Sequence, residues 1–274
     1  MRLSQKLNLW QKLLKKKMSK LVVINQDAKI GKNVKIDSFS SIHENVIIGD
    51  NCWIGSNVTI YPGARIGSNC QIFPGAVISA IPQDLKFRGE ETTAVVGNNV
   101  IIRECVTINR GTSYNNTTIV GDNSFLMAYA HLAHDCVIKN NVIVANGVAI
   151  AGHVEIDEYA IIGGLSAIQQ FSKIGKFSMV SGGSLVRKDV PPYIKVAKEP
   201  LRFIGINKIG LRRNNFTKEQ IEHISSIFRI IFQEGNNISK AIEIIEKNEE
   251  ISKEKKEILK FIKNSKSGIV KGFY

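Results

Sequence analysis

The chain has 274 residues, with 37 Lys and Arg against 24 Asp and Glu, for a formal charge of +13. At 43% apolar and 22% charged residues it can build a core, which excludes a disordered chain. No apolar run approaches the roughly 18 residues of a transmembrane helix, and four Cys without a CxxC pair speak against a disulfide framework or a Cys-type zinc site.

So basic a chain first suggests nucleic acid or an anionic membrane surface, but the charge is not spread evenly. Residues 1–20 carry +7, residues 21–190 carry −1, and residues 191–274 carry +7. In the first segment Leu3, Leu7, Trp10, Leu13 and Leu14 fall on one helical face opposite lysines. Two readings stand. Residues 1–17 are a membrane-surface or targeting helix, or translation starts at Met18 and the segment is absent or disordered. Removing residues 1–17 takes away six positive charges and leaves +7.

From residue 21 a repeat takes over. Ile occupies 24, 30, 36 and every sixth position to 78. The phase continues at Val96, Ile102 and Ile108, and then from Val120 to Val186, giving 25 aliphatic positions in one phase. Four residues after each aliphatic there is usually a small or β-branched residue, such as Val34, Ser40, Val46, Cys52, Val58, Ala64 or Cys70. Neither a helix nor a simple strand has period six. A coil with three flat sides does, each side being one short strand and a corner, with the aliphatic inward and Gly, Asn or Asp tolerating positive φ at the corner. Eighteen residues make one coil, so the repeat predicts a prism of about eight coils, roughly 38 Å long. Cys52 and Cys70, one coil apart at small-residue slots, read as packing.

The phase fails at 79–95 and 109–119, where Asp84, Glu90 and Tyr114 take aliphatic slots. Excursions from a solenoid are loops on one face, often the binding face. Three of the five His lie in residues 131–153, HLAHDCVIKNNVIVANGVAIAGH. Stacking puts residue i beside i+18, so His134, Gly152 and Gln170 form one column, and Asp135 and His153 a second. That set suits acyl transfer to a hydroxyl. A His can take the proton near neutral pH, a glycine N–H can hold an oxyanion, and a carboxylate can fix the imidazole tautomer. Zinc held by three His is the rival, disfavoured by the H-x2-H spacing.

Pro191-Pro192 is expected to end the repeat. Thr217 and Gln220 form a capping box, followed by a helical stripe of Ile221, Ile224, Ile227, Phe228, Ile231 and Phe232 closed by Gly235. Two more helices are expected near 239–247 and 252–264. The predicted division is therefore a basic extension 1–20, a repeat domain 21–190 and a small α-helical domain 191–274.

The repeat resembles the hexapeptide-repeat acyltransferases. The segments HLAHDC, AGHVEID, IIGGLSAIQQF, RKDVPPY and IPQDLKFRGE, with the C-terminal helices, resemble the UDP-N-acetylglucosamine O-acyltransferases of lipid A synthesis from about residue 21 to the end. The resemblance implies a mainly β chain, a left-handed parallel β-helix followed by a small helical domain. It implies a cytoplasmic homotrimer that moves a 3-hydroxyacyl group from acyl carrier protein to the 3-hydroxyl of UDP-N-acetylglucosamine, with no metal or other cofactor. By motif, His134 is similar to the general base, Asp135 to its orienting carboxylate and Gly152 to the oxyanion N–H. His131, His153 and Gln170 match positions around sugar and acyl chain. Asp84 and Lys86 match a loop on the sugar nucleotide near the subunit junction, Asn207 and Arg213 match residues near the nucleotide, and Gly182 matches the end of the acyl groove. Gln169 and Asn109 stand where the family commonly has His, and Asn214 shortens the usual Arg run, which bears on fine contacts only.

The alternatives are an N-acyl or acetyl-CoA-dependent hexapeptide transferase, or a non-catalytic β-helix scaffold. The N-acyl enzymes carry a further domain before the β-helix, for which 20 residues leave no room. An ice-binding scaffold would need a flat Thr array, which is not visible. A nucleic-acid binder would need basic residues interleaved with aromatics, and the repeat carries −1.

Overall fold

The computed structural model describes residues 21–247 and 252–272. The extension 1–20, with its membrane-surface or misassigned-start readings, lies outside the described residues. Each of the 25 aliphatic positions lies in a short strand, from Val23–Ile24 to Leu185–Val186. Every third strand pairs in parallel, which builds three sheets of nine, eight and ten strands, here A, B and C. The whole is a left-handed parallel β-helix.

The inward slot explains the period. Ile54, Ile60, Ile72, Ile78, Ile102, Leu132, Ile150 and Ile162 are fully buried, and only an aliphatic of that size fills the prism at each side. The Cys52 and Cys70 thiols sit in the same core and donate to the carbonyls of Gly67 and Gly97, each at 3.1 Å. At most corners the third residue after the aliphatic has positive φ. Asn is the commonest residue there, as at Asn33, Asn45, Asn51, Asn57 and Asn69, with Gly and aromatics at many of the others. Asp135 (60°), His153 (62°) and Phe171 (66°) adopt it too, a strained conformation for larger side chains.

The excursions preserve the stacking. Val96 pairs with Ile66, thirty residues back, and Val120 with Val96, twenty-four back. Both offsets exceed eighteen by a multiple of six, so the inward phase survives each insertion. Both loops leave at the corner between sheets A and B, after the strands Val77–Ala80 and Thr107–Asn109. The next strand of sheet A is His131–Leu132, so the His134–Asp135 corner lies directly below both loops.

Pro191-Pro192 does not end the sheets. Ile194–Ala197 adds a parallel strand to Met179–Val180, and Arg202–Ile206 folds back antiparallel upon it. Ile194 and Val196 point into the core as the repeat's aliphatics do, fully buried. So residues 191–274 begin with two strands rather than with a helix. Four helices follow, α1 (Lys208–Arg213), α2 (Lys218–Phe232), α3 (Ile238–Lys247) and α4 (Lys253–Lys263). The Thr217–Gln220 capping box is formed, and α2 buries all six residues of its expected stripe.

Candidate active site

His134 and Asp135 occupy the corner after the strand His131–Leu132. His134 Nδ1 lies 2.8 Å from Asp135 Oδ2, and the Asp135 side chain is wholly buried. An ionised carboxylate only accepts, so Nδ1 donates, and in the neutral imidazole Nε2 carries the free lone pair. The carboxylate is held from the second excursion. Oδ1 accepts the N–H groups of Thr112 (3.0 Å) and Asn115 (3.2 Å), and Oδ2 accepts the Thr112 hydroxyl (2.6 Å). The Asp135 N–H in turn donates to Thr118 Oγ1 at 2.8 Å. Burial works against ionisation of Asp135. The hydrogen bonds from Thr112 and His134 and the nearby His153 outweigh it and hold the carboxyl below its usual range.

Gly152 stands one coil below His134. A methyl group there would fall 2.6 Å from His134 Cε1 and 2.8 Å from Nε2. The imidazole therefore lies over the bare glycine, with its Cε1–Nε2 edge against that backbone. His153 does not bond to its column mate: its Nδ1 is 3.8 Å from Asp135 Oδ2 and buried without a partner. Its ring stacks on Phe171 at 4.5 Å and meets the edges of Tyr114 and His134 at 4.4 and 4.9 Å. Burial holds the His153 imidazole below its ordinary range, against the pull of Asp135 and Asp84.

These residues open onto a cleft of about 860 Å³. Its far wall is the first excursion, with Asp84, Leu85 and Lys86, and Gln170 lines the near side. So the fold brings His134, His153, Gln170, Asp84 and Lys86 around one space, with Asp135 and Gly152 directly behind. The other expected site residues stand elsewhere. His131 lies on the outward face of sheet A, bonded to Thr107 at 2.7 Å, and burial lowers its pKa. Gly182 is at the other edge of sheet A, against Gly164. Asn207 caps α1, accepting from Gly210 and donating to Phe177 O, and Arg213 ends that helix, exposed. Sequence reasoning missed Thr112, Asn115 and Phe171.

His134, Asp135 and His153 have ligand-type atoms within 4.8 Å of one another, as a metal site would. Each Asp135 oxygen already accepts two hydrogen bonds, however, which leaves no lone pair for a cation.

A prism of hexapeptide coils with a buried His–Asp pair at one corner defines a hexapeptide-repeat transferase. The bacterial transferase hexapeptide model matches residues 27–52, 45–80 and 117–152, and the model of UDP N-acetylglucosamine O-acyltransferase domain 2 matches residues 189–270. A relative from Aquifex aeolicus, acyl-[acyl-carrier-protein]–UDP-N-acetylglucosamine O-acyltransferase, is 56% identical over 71% of this chain and 75% of its own. The same enzyme from Chlorobaculum parvum is 54% identical over 70% and 73%. The solved UDP-N-acetylglucosamine acyltransferase of Bacteroides fragilis superposes with a TM-score of 0.91 at 49% identity, covering 92% of this chain and 99% of that one. That of Francisella novicida gives 0.91 at 37%, covering 94% and 95%. The chain belongs to the UDP-N-acetylglucosamine O-acyltransferase family.

Gly152→Ala is expected to push the imidazole off Asp135 and lower turnover about 100-fold, the cost of an ångström-scale misplacement. Steady-state kinetics on protein with an unchanged circular dichroism spectrum checks this. Near-normal turnover would mean the imidazole can yield.

Proposed function

We propose that this chain transfers a 3-hydroxyacyl group from acyl carrier protein to the 3-hydroxyl of UDP-N-acetylglucosamine, the first step of lipid A biosynthesis, in the cytoplasm. The observation that carries the reading is the buried Asp135–His134 pair, with the Nε2 edge lying on Gly152, inside this family's fold. A sugar hydroxyl is a poor nucleophile at neutral pH and needs a base. Nε2 of His134 takes the hydroxyl proton as the oxygen attacks the thioester carbonyl. Asp135 stabilises the imidazolium that forms. The tetrahedral oxyanion is held by the Gly152 N–H. Its collapse breaks the C–S bond, and the leaving thiolate receives the proton from His134. No metal or other cofactor takes part.

Asp84 and Lys86 face the base across the cleft and are assigned to the sugar nucleotide, with His153 and Gln170 beside the sugar and acyl chain. His131 and Gly182 are assigned to the acyl groove along sheet A, and Asn207 and Arg213 to the nucleotide. These last four lie outside the cleft of a single chain, so their contacts need it completed by a neighbouring copy. An apolar stripe supports such a copy. Ile101, Phe125, Ile143, Ile161 and Met179 point outward from sheet C in register over five coils and are half-buried. Monomeric surfaces rarely expose so continuous a patch. The proposed assembly is a homotrimer. The excess of Lys and Arg in residues 191–274 would steer an acidic carrier protein and a diphosphate. Among the described residues no helix is long and apolar enough to cross a membrane.

Incubation with 3-hydroxyacyl carrier proteins and UDP-N-acetylglucosamine should yield acylated sugar nucleotide, and His134→Ala should lower turnover by about 10²–10⁴ with the fold intact. No product at any chain length would remove the function, and an active His134→Ala enzyme would remove the base. Light scattering should give three times the chain mass, and Phe125→Glu should reduce it. A wild-type monomer would contradict the assembly.

A further inference from the structure

We infer that Thr112 is a positioning residue for His134, acting through Asp135, and that the second excursion serves as the clamp on that carboxylate. The inference rests on the reading of His134 as the base, and it assigns a role to a loop that the repeat does not require.

Among the described residues Thr112 is the one that grips both Asp135 oxygens, its N–H on Oδ1 at 3.0 Å and its hydroxyl on Oδ2 at 2.6 Å. It is buried, with 6% of its surface exposed. Oδ2 is also the atom that receives His134 Nδ1–H, so the Thr112 hydroxyl and the imidazole share one acceptor. Two donors on one oxygen fix its direction. The carboxylate plane cannot rotate about the Cβ–Cγ bond without breaking a bond to Thr112 or Asn115. With the plane fixed, the imidazole keeps Nδ1–H on Oδ2 and Nε2 on the Gly152 side.

The hydroxyl has an electronic effect as well. It withdraws negative charge from Oδ2, which weakens the pull of the carboxylate on an imidazolium. The clamp so balances two demands on Asp135, orientation of the base and moderation of its basicity. The same loop turns Tyr114 edge-to-face onto the His153 ring at 4.4 Å. Among the described residues, the charged and titratable groups facing this centre are His134 and His153 from the coils, Asp84, Lys86 and Glu90 from the first excursion and Tyr114 from the second.

The test compares Thr112→Val, which removes the hydroxyl at nearly constant volume, with Thr112→Ser, which keeps it. Acyl transfer to UDP-N-acetylglucosamine is followed across pH, with His134→Ala alongside. Thr112→Val should lower kcat about tenfold, the worth of a hydrogen bond to a charged group, with little change in KM. The acidic limb of its kcat/KM profile should move to higher pH, because the freed Oδ2 holds the imidazolium more tightly and a neutral base appears only at higher pH. Thr112→Ser should keep the wild-type profile and most of the rate. An unchanged rate and profile in Thr112→Val, with His134→Ala inactive, would overturn the inference and leave the base standing. An active His134→Ala would remove the base itself. A Thr112→Ser enzyme as impaired as Thr112→Val would show that packing, not the hydroxyl, matters. Should Thr112→Val fail to fold, Thr112→Ala makes the same comparison without the added branch. Failure of both to fold would overturn the positioning role in favour of a structural one.

Discussion

Each coil donates its strand N–H groups to the carbonyls of the next, as Val137 N–H does to Val154 O at 2.9 Å and Ile119 N–H to Cys136 O at 2.8 Å. From Ile24 to Val186 successive coils contain whole multiples of six residues, so the aliphatic always returns to the inward slot, and only the closing strand Ile194–Ala197 departs, pairing at an offset of sixteen. The two insertions obey this rule, adding to the chain without moving a single core residue out of phase. A solenoid so constrained can grow only at its corners, and both insertions grow from one corner. That is why a cleft exists at all. Two loops project at the sheet A–B corner above His134, and the coils below supply a flat wall against them.

The chemistry follows from what that corner does to two charged groups. Asp135 is wholly buried, which would normally neutralise it, yet four donors keep it ionised. His134 is pinned between this carboxylate and the backbone of Gly152, so both of its ring edges have assigned neighbours. The αL conformation at Asp135 and His153 costs of order 1–3 kcal/mol each, and the corner stacking sustains it: His153 lies flat on Phe171 at 4.5 Å. The remaining charge excess of the described chain lies in residues 191–274, away from this near-neutral prism.

Period six made the fold legible, because an inward slot admits only aliphatics and repeats without exception from Ile24 to Ile78. The capping box at Thr217 was legible for a similar reason, being a local exchange of bonds over three residues. The strand Ile194–Ala197 was not, since Pro191-Pro192 reads as a stop and only the exposed end of sheet C reveals that another strand can be added. In the site, the i+18 rule brought the right corners together but not the right bonds. His134 bonds to its chain neighbour Asp135, and Asp135 stays 3.8 Å from its column mate His153. Side-chain direction is not contained in a period. Thr112 and Asn115 reach Asp135 across 23 and 20 residues, separations that an irregular loop sets and no spacing rule anticipates. The resemblance pointed to Asp84 and Lys86, and the shared corner of the two insertions supplies the physical reason they line one cleft with His134.

The central claim is that an ionised Asp135 holds His134 as a base with Nε2 free. Asp135→Asn tests it most directly, because the side chain keeps its shape while the acceptor that fixes the tautomer is lost. On protein with wild-type secondary structure, kcat for acyl transfer is expected to fall on the order of 10²–10⁴ with KM little changed. An Asp135→Asn enzyme with near-normal kcat would contradict the account.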